Sequence, residues 1–153
     1  MEQVDSGYTE LRSYQREMKH RLYEKWWGGI RSVMVQMPTG TGKTYLMAAV
    51  VRENAADGVL VVTHRIELVE QISETLSRFG VRHGVIAGGR KALLAENVRV
   101  ASIQTLSRCI DSLSFCPSVV VVDEAHHALA KTYRILWEKL SLIHISEPTR
   151  LRR

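Results

Sequence analysis

Two stretches of this chain are apolar at nearly every position: Val59-Leu60-Val61-Val62-Thr63 and Val119-Val120-Val121-Val122. A strand with one face in water alternates apolar and polar residues. An unbroken run has both faces covered, which is the signature of a parallel sheet lying between helices. The segments around these runs agree. Leu11, Tyr14, Met18, Leu22 and Trp26 recur every three or four residues, which predicts an amphipathic helix over 11–27 ended by Gly28-Gly29. Ser32 to Met37 reads as a short strand, Pro38 to Gly42 as a glycine-bearing loop, and Lys43 to Ala56 as a helix, with Asp57-Gly58 turning the chain. Ile66 to Phe79 is helical, with Ile66, Val69, Ile72, Leu76 and Phe79 on one side. Strands follow at Val85 to Ala87 and Val98 to Ala101, then a helix at Gln104 to Leu113. Strand followed by helix implies right-handed crossovers and a parallel α/β sheet wound with helices on both faces. Such sheets take their ligands beyond the carboxyl ends of the strands.

At 153 residues the chain is one domain with room for a core. Its hydrophobic share of 45% and charged share of 24% are those of a globular protein. The net charge is +5, but Arg150, Arg152 and Arg153 against Glu147 supply two of it, which leaves +3 for residues 1–139. That surplus is compatible with nucleic-acid contact and equally with plain solvated surface. Cys109 and Cys116 lack metal-type spacing, and read as reduced cysteines of a cytoplasmic protein. No signal peptide and no membrane-length apolar run is visible.

Chemistry gathers at two strand ends. Gln36-Met37-Pro38-Thr39-Gly40-Thr41-Gly42-Lys43-Thr44 lies between a strand and a helix. Its glycines let backbone N–H groups turn inward around phosphate oxygens, and the helix aims its positive end at them. Thr39, Gly40, Thr41 and Gly42 would cradle a nucleotide, Lys43 would reach the outer phosphates, and Thr44 would ligate Mg²⁺. Met37 stands where the phosphate-loop pattern has its first glycine. The plain alternative is a glycine turn followed by a chance Lys-Thr pair. Further on, the valine run delivers Asp123-Glu124-Ala125-His126. Asp123 can hold Mg²⁺ through water, and Glu124 can orient and deprotonate the attacking water. Here the alternative is Asp123 as a helix cap with Glu124 favouring the helix dipole.

Thr-Gly-Thr-Gly-Lys-Thr followed by four valines and Asp-Glu-Ala-His resembles the superfamily 2 helicase core of DEAD/DEAH type. The resemblance covers roughly Leu11 to Lys139 and implies a RecA-like phosphate-loop domain that uses ATP and Mg²⁺. It places His126 where the nucleotide site would meet a second RecA-like domain. Leu11-Arg12-Ser13-Tyr14-Gln15 is similar to the family's adenine-reading segment, which makes Arg12 and Gln15 candidate contacts to the base. Thr63-His64-Arg65-Ile66-Glu67-Leu68 and Ala101-Ser102-Ile103-Gln104-Thr105-Leu106 resemble two loops that grip one nucleic-acid strand. By that likeness Arg65, Gln104 and Thr105 are candidate contacts, and Gly88-Gly89-Arg90 falls where another such loop lies. Taken singly, Arg65 could begin a solvated helix face, Gln104 could serve a helix start, and Gln15 could be an exposed helix residue. The Leu-Arg-x-Tyr-Gln and Thr-His-Arg segments lean toward the branch of type III restriction motors and DNA-repair or phage helicases, so DNA is expected before RNA.

In that family a strand ending in Ser/Thr-Ala-Thr and a second RecA-like domain follow. Here Tyr133 to Lys139 fits the intervening helix, and then Leu140 to Arg150 resembles, residue for residue, a translated transposase-type sequencing adapter. Residues 1–139 are therefore expected to be a C-terminally truncated ATP-binding domain, and residues 140–153 a non-native tail. Without the partner domain's arginines such a chain would bind ATP weakly, hydrolyse it poorly and unwind nothing. Two other readings stay open: the motor part of a type III-like restriction enzyme, and a nucleotide-binding module that regulates a partner.

Overall fold

The computed structural model describes residues 11–30, 42–87, 96–109, 117–123 and 134. The strand expected at Ser32 to Met37 and the helix expected at Tyr133 to Lys139 lie outside this set, Arg134 apart. Among the described residues four helices and four strands run in the order α1 (Ser13–Trp27), α2 (Lys43–Asn54), β1 (Val59–Thr63), α3 (Ile66–Arg78), β2 (Gly84–Ile86), β3 (Val98–Ser102), α4 (Ile103–Cys109) and β4 (Val119–Val122), with a 3-10 turn at Ala55–Asp57.

The sheet is parallel throughout, in the order β2-β3-β1-β4. Residues 59, 61, 98, 100, 119 and 121 face one way, into the main core with α1, α2 and α3. Leu60, Val62, Ala101, Val120 and Val122 alternate with them and are buried as well, so the continuous apolar runs are covered on both sides. The charged side chain within the described strands is Arg99, 6% exposed, whose Nε donates to Glu96 O at 3.3 Å. Desolvation by burial lowers the pKa of its guanidinium below the ordinary value.

The helices show why each begins and ends where it does. α1 starts at Ser13, two residues later than the periodicity predicts, because Gln15 Oε1 accepts the Arg12 N–H at 2.8 Å and caps the first turn from within. α3 carries Val69, Ile72 and Leu76 inward and closes with Val81 N donating to Leu76 O at 2.9 Å over Gly80 at φ 71°. Ile66 is 46% exposed, unlike the rest of its expected stripe, because it opens the helix at the strand-end edge. α2 has no polar face at all from Leu46 to Val51, since it packs against α1 and α3 and shares one core with the sheet.

α1 and α2 run side by side in the same direction and are tied at both ends. Gln15, near the start of α1, bonds Gly42 just before α2. At the far end Lys19 pairs with Glu53, while the Tyr23 hydroxyl donates to Glu53 Oε2 at 2.6 Å and accepts from Asn54 Nδ2 at 2.9 Å. Both helix N-termini therefore lie together at the edge where the strands end.

Candidate nucleotide site and neighbouring loops

Thr39, Gly40 and Thr41 fall outside the described residues, whereas Gly42, Lys43 and Thr44 form the start of α2. Gly42 has φ 79°, a left-handed conformation that side chains resist. A Cβ there would also come within 2.1 Å of Gln15 Nε2. Its carbonyl accepts from Tyr45 N at 3.0 Å, Leu46 N at 3.2 Å and Gln15 Nε2 at 3.0 Å. The first turn of α2 holds no acidic residue, so its positive end and Lys43 face the same region without a counter-charge of their own.

That counter-charge comes from another element. β4 delivers Asp123 at its tip, 8% exposed, with Asp123 N donating to Val62 O at 2.9 Å. Asp123 Oδ1 lies 3.1 Å from Lys43 Nζ. The contact is an ion pair by distance but is out of line for a hydrogen bond, and Oδ1 has no hydrogen-bond partner among the described residues. A buried carboxylate oxygen that among the described residues meets only the Lys43 charge, with Thr44 in the first turn of α2 next to that lysine, suits a hard, oxygen-seeking cation. Thr44 and Asp123 are the residues that would hold Mg²⁺. Glu124 and His126 lie outside the described residues.

Gln15 is not an exposed helix residue: it is 2% exposed, with both ends of its amide engaged, by Arg12 N and by Gly42 O. The structure thus brings the expected adenine segment against the last glycine of the expected phosphate loop, with Arg12 exposed beside it. Sequence reasoning named the residue but missed that contact.

Of the expected strand-contact residues, Gly88 is outside the described set. Arg65 is exposed at the N-cap position of α3. Gln104 Nε2 reaches across to His64 O at 3.1 Å, so the two loops that resemble strand-contact motifs are bonded to each other. Thr105 N donates to Ser102 Oγ at 3.4 Å, and the two hydroxyls lie 3.0 Å apart, which makes Ser102 the cap of α4. α4 consequently opens at Ile103, one residue ahead of the expected start. Thr63, the end of one expected strand and the start of a strand-contact segment, is fully buried in line with Ser102. Its one sequence signal is a hydroxyl closing an apolar run.

The type III restriction enzyme res-subunit model matches residues 8–151. The chain belongs to that family. The match continues through 140–151, residues that the sequence reading sets aside as a tail and that lie outside the described set. A 51.5 kDa protein of Lactococcus phage (isolate 7-9) is 27% identical over 109 residues, covering 69% of this chain and 21% of the phage protein. "Probable helicase D10" of Escherichia phage T5 is 30% identical over 94 residues, 61% of this chain and 21% of that one. The solved SWI2/SNF2 ATPase core of Sulfolobus solfataricus, in complex with dsDNA, superposes with a TM-score of 0.70 at 20% identity, covering 92% of this chain and 30% of that one. This res-subunit-type chain is the first RecA-like domain of a superfamily 2 helicase fold, and it spans about a fifth of the length of the curated relatives. Among the described residues no helix is long and apolar enough to cross a membrane.

Proposed function

We propose that this domain binds ATP with Mg²⁺ and is the nucleotide half of a nucleic-acid-dependent ATPase, a helicase or translocase acting on DNA in preference to RNA. The observation that carries the reading is the Lys43–Asp123 pair, which sets the phosphate-loop lysine against the carboxylate of the valine strand across a helix start without acid of its own. Bound Mg²⁺ would supply neutralisation of the developing phosphate charge. Lys43 would leave Asp123 for the outer phosphates, while Thr44 and Asp123 turn their oxygens to the metal. Glu124 would orient and deprotonate the attacking water, and His126 would face a second domain. Arg12 and Gln15 would contact the adenine, a role supported by the bond from Gln15 to Gly42 O at the same helix start.

Arg65, Gly88, Gln104 and Thr105 are proposed to grip phosphates and sugars of one strand. The hydrogen bond from Gln104 to His64 O supports treating two of these loops as one surface. The preference for DNA rests on the Leu-Arg-x-Tyr-Gln and Thr-His-Arg segments, and on the dsDNA named for the Sulfolobus neighbour. The family's own description favours one further reading, in which the parent is the motor of a restriction system with its nuclease elsewhere. Alone, this chain is expected to bind ATP weakly, hydrolyse it poorly and leave duplexes intact.

The test is a titration of a fluorescent ATP analogue against the chain and its Lys43→Ala variant. The variant is expected to lose binding. Equal affinity in the two would overturn the phosphate-loop assignment.

A further inference from the structure

β1 is apolar until its last residue, where Thr63 places a hydroxyl at 0% exposure. Its Oγ1 has no hydrogen-bond partner among the described residues. Buried hydroxyls are normally satisfied, and Val would fill the same space without leaving a polar group behind. A group kept in this state points to a partner gained at another stage of the protein's work.

The register identifies that partner. Thr63 pairs with Ser102 of β3, while Val62 pairs with Val122 of β4, so Thr63 and Asp123 occupy the next level on neighbouring strands. Side chains two apart share a face: Thr63 follows Val61, and Asp123 follows Val121, both in the main core layer. Neighbouring strands are about 4.8 Å apart, so the two buried polar groups stand side by side. Each has an oxygen without a hydrogen bond among the described residues, Thr63 Oγ1 and Asp123 Oδ1.

We propose that Thr63 is a positioning residue for the metal-holding carboxylate, its hydroxyl donating to Asp123 when nucleotide phosphates draw Lys43 away. This rests on the nucleotide reading above. With the ammonium gone, a carboxylate that is 8% exposed needs a donor to replace it. Thr63 supplies one by rotating about a single side-chain bond. One carboxylate oxygen is then fixed, and the other is left to the metal or its water. The hydroxyl also sits one residue before His64, whose carbonyl is held by Gln104, so the turn that follows Thr63 is anchored.

The experiment measures the affinity of the 153-residue chain for a fluorescent ATP analogue with Mg²⁺ and with EDTA, and takes the ratio for each variant. Removing an outer-shell partner of a metal ligand costs about tenfold or more in metal affinity. Thr63→Val is expected to lower the Mg²⁺ enhancement by about that factor, with Thr63→Ser restoring it. Thermal melting of Thr63→Val is expected to stay level or rise, because an isosteric change removes a buried hydroxyl that has no bond to lose. A Thr63→Val chain with the full enhancement overturns the proposal, as does a Thr63→Ser chain that fails to restore it. A lower melting temperature for Thr63→Val would show that the hydroxyl serves the fold instead, and overturns it too. If the unsubstituted chain binds no nucleotide, the nucleotide reading itself falls and takes this one with it.

Discussion

Single residues carry more constraint here than their types suggest. Gly42 has to be glycine twice over, once for its φ of 79° and once because a Cβ would collide with the Gln15 amide. Gly42→Ala is therefore expected to destabilise the chain by about 1–3 kcal/mol, from backbone strain plus displacement of Gln15. Urea denaturation with and without ATP would check this, and a change under about 0.5 kcal/mol would mean the loop relaxes freely. The sequence marks this glycine by its place before Lys-Thr, but the collision depends on a side chain 27 positions away. Gln15 shows the same limit from the other side. Its segment pointed to the nucleotide, whereas its burial follows from α1 lying along α2, which no local pattern encodes.

At the level of elements, α3 was the most legible, because one of its faces meets water and its periodicity is intact. α2 was read as a helix only for want of breakers. Its Leu46 to Val51 stretch is buried all round, so it has no amphipathic pattern to find. Its β-branched Val50 and Val51 are poor helix formers, held by packing and not by propensity. Leu76 of α3, at 0% exposure, anchors that helix against the core. Leu76→Ala is expected to cost about 2–5 kcal/mol by leaving a cavity, measurable as a lower denaturation midpoint at unchanged slope. α1 lost two residues at its start to the Gln15 cap, and α4 gained one from Ser102. Such boundaries are set by side-chain caps, which hydrophobic periodicity does not register.

For the molecule as a whole, the parallel α/β architecture was legible because runs such as Val59–Val62 and Val119–Val122 admit few other placements. Strand order was not, since β2-β3-β1-β4 depends on where each helix crosses. Part of the expected nucleotide site, Thr39 to Thr41 with Glu124 and His126, lies outside the described residues. If residues 140–153 are a non-native tail, a chain ending at Lys139 should unfold within about 0.5 kcal/mol of the full one. A larger loss in denaturation would make that segment part of the fold.

Because the four described strands point the same way, the candidate chemistry gathers along one rim, and the turns at Asp57-Gly58, Gly80 to Arg82 and Glu96-Asn97 form the opposite one. That rear rim is stitched together through its backbone, with Val59 N bonded to Asn97 O and Ser118 N to Gly58 O at 2.9 Å each. A dye or tether attached at the exposed Arg82 side chain would therefore sit on a firm footing, a sheet's length from the proposed nucleotide site and the loops proposed to grip a strand. The fold comes with a handle for single-molecule work on the rim opposite the candidate chemistry.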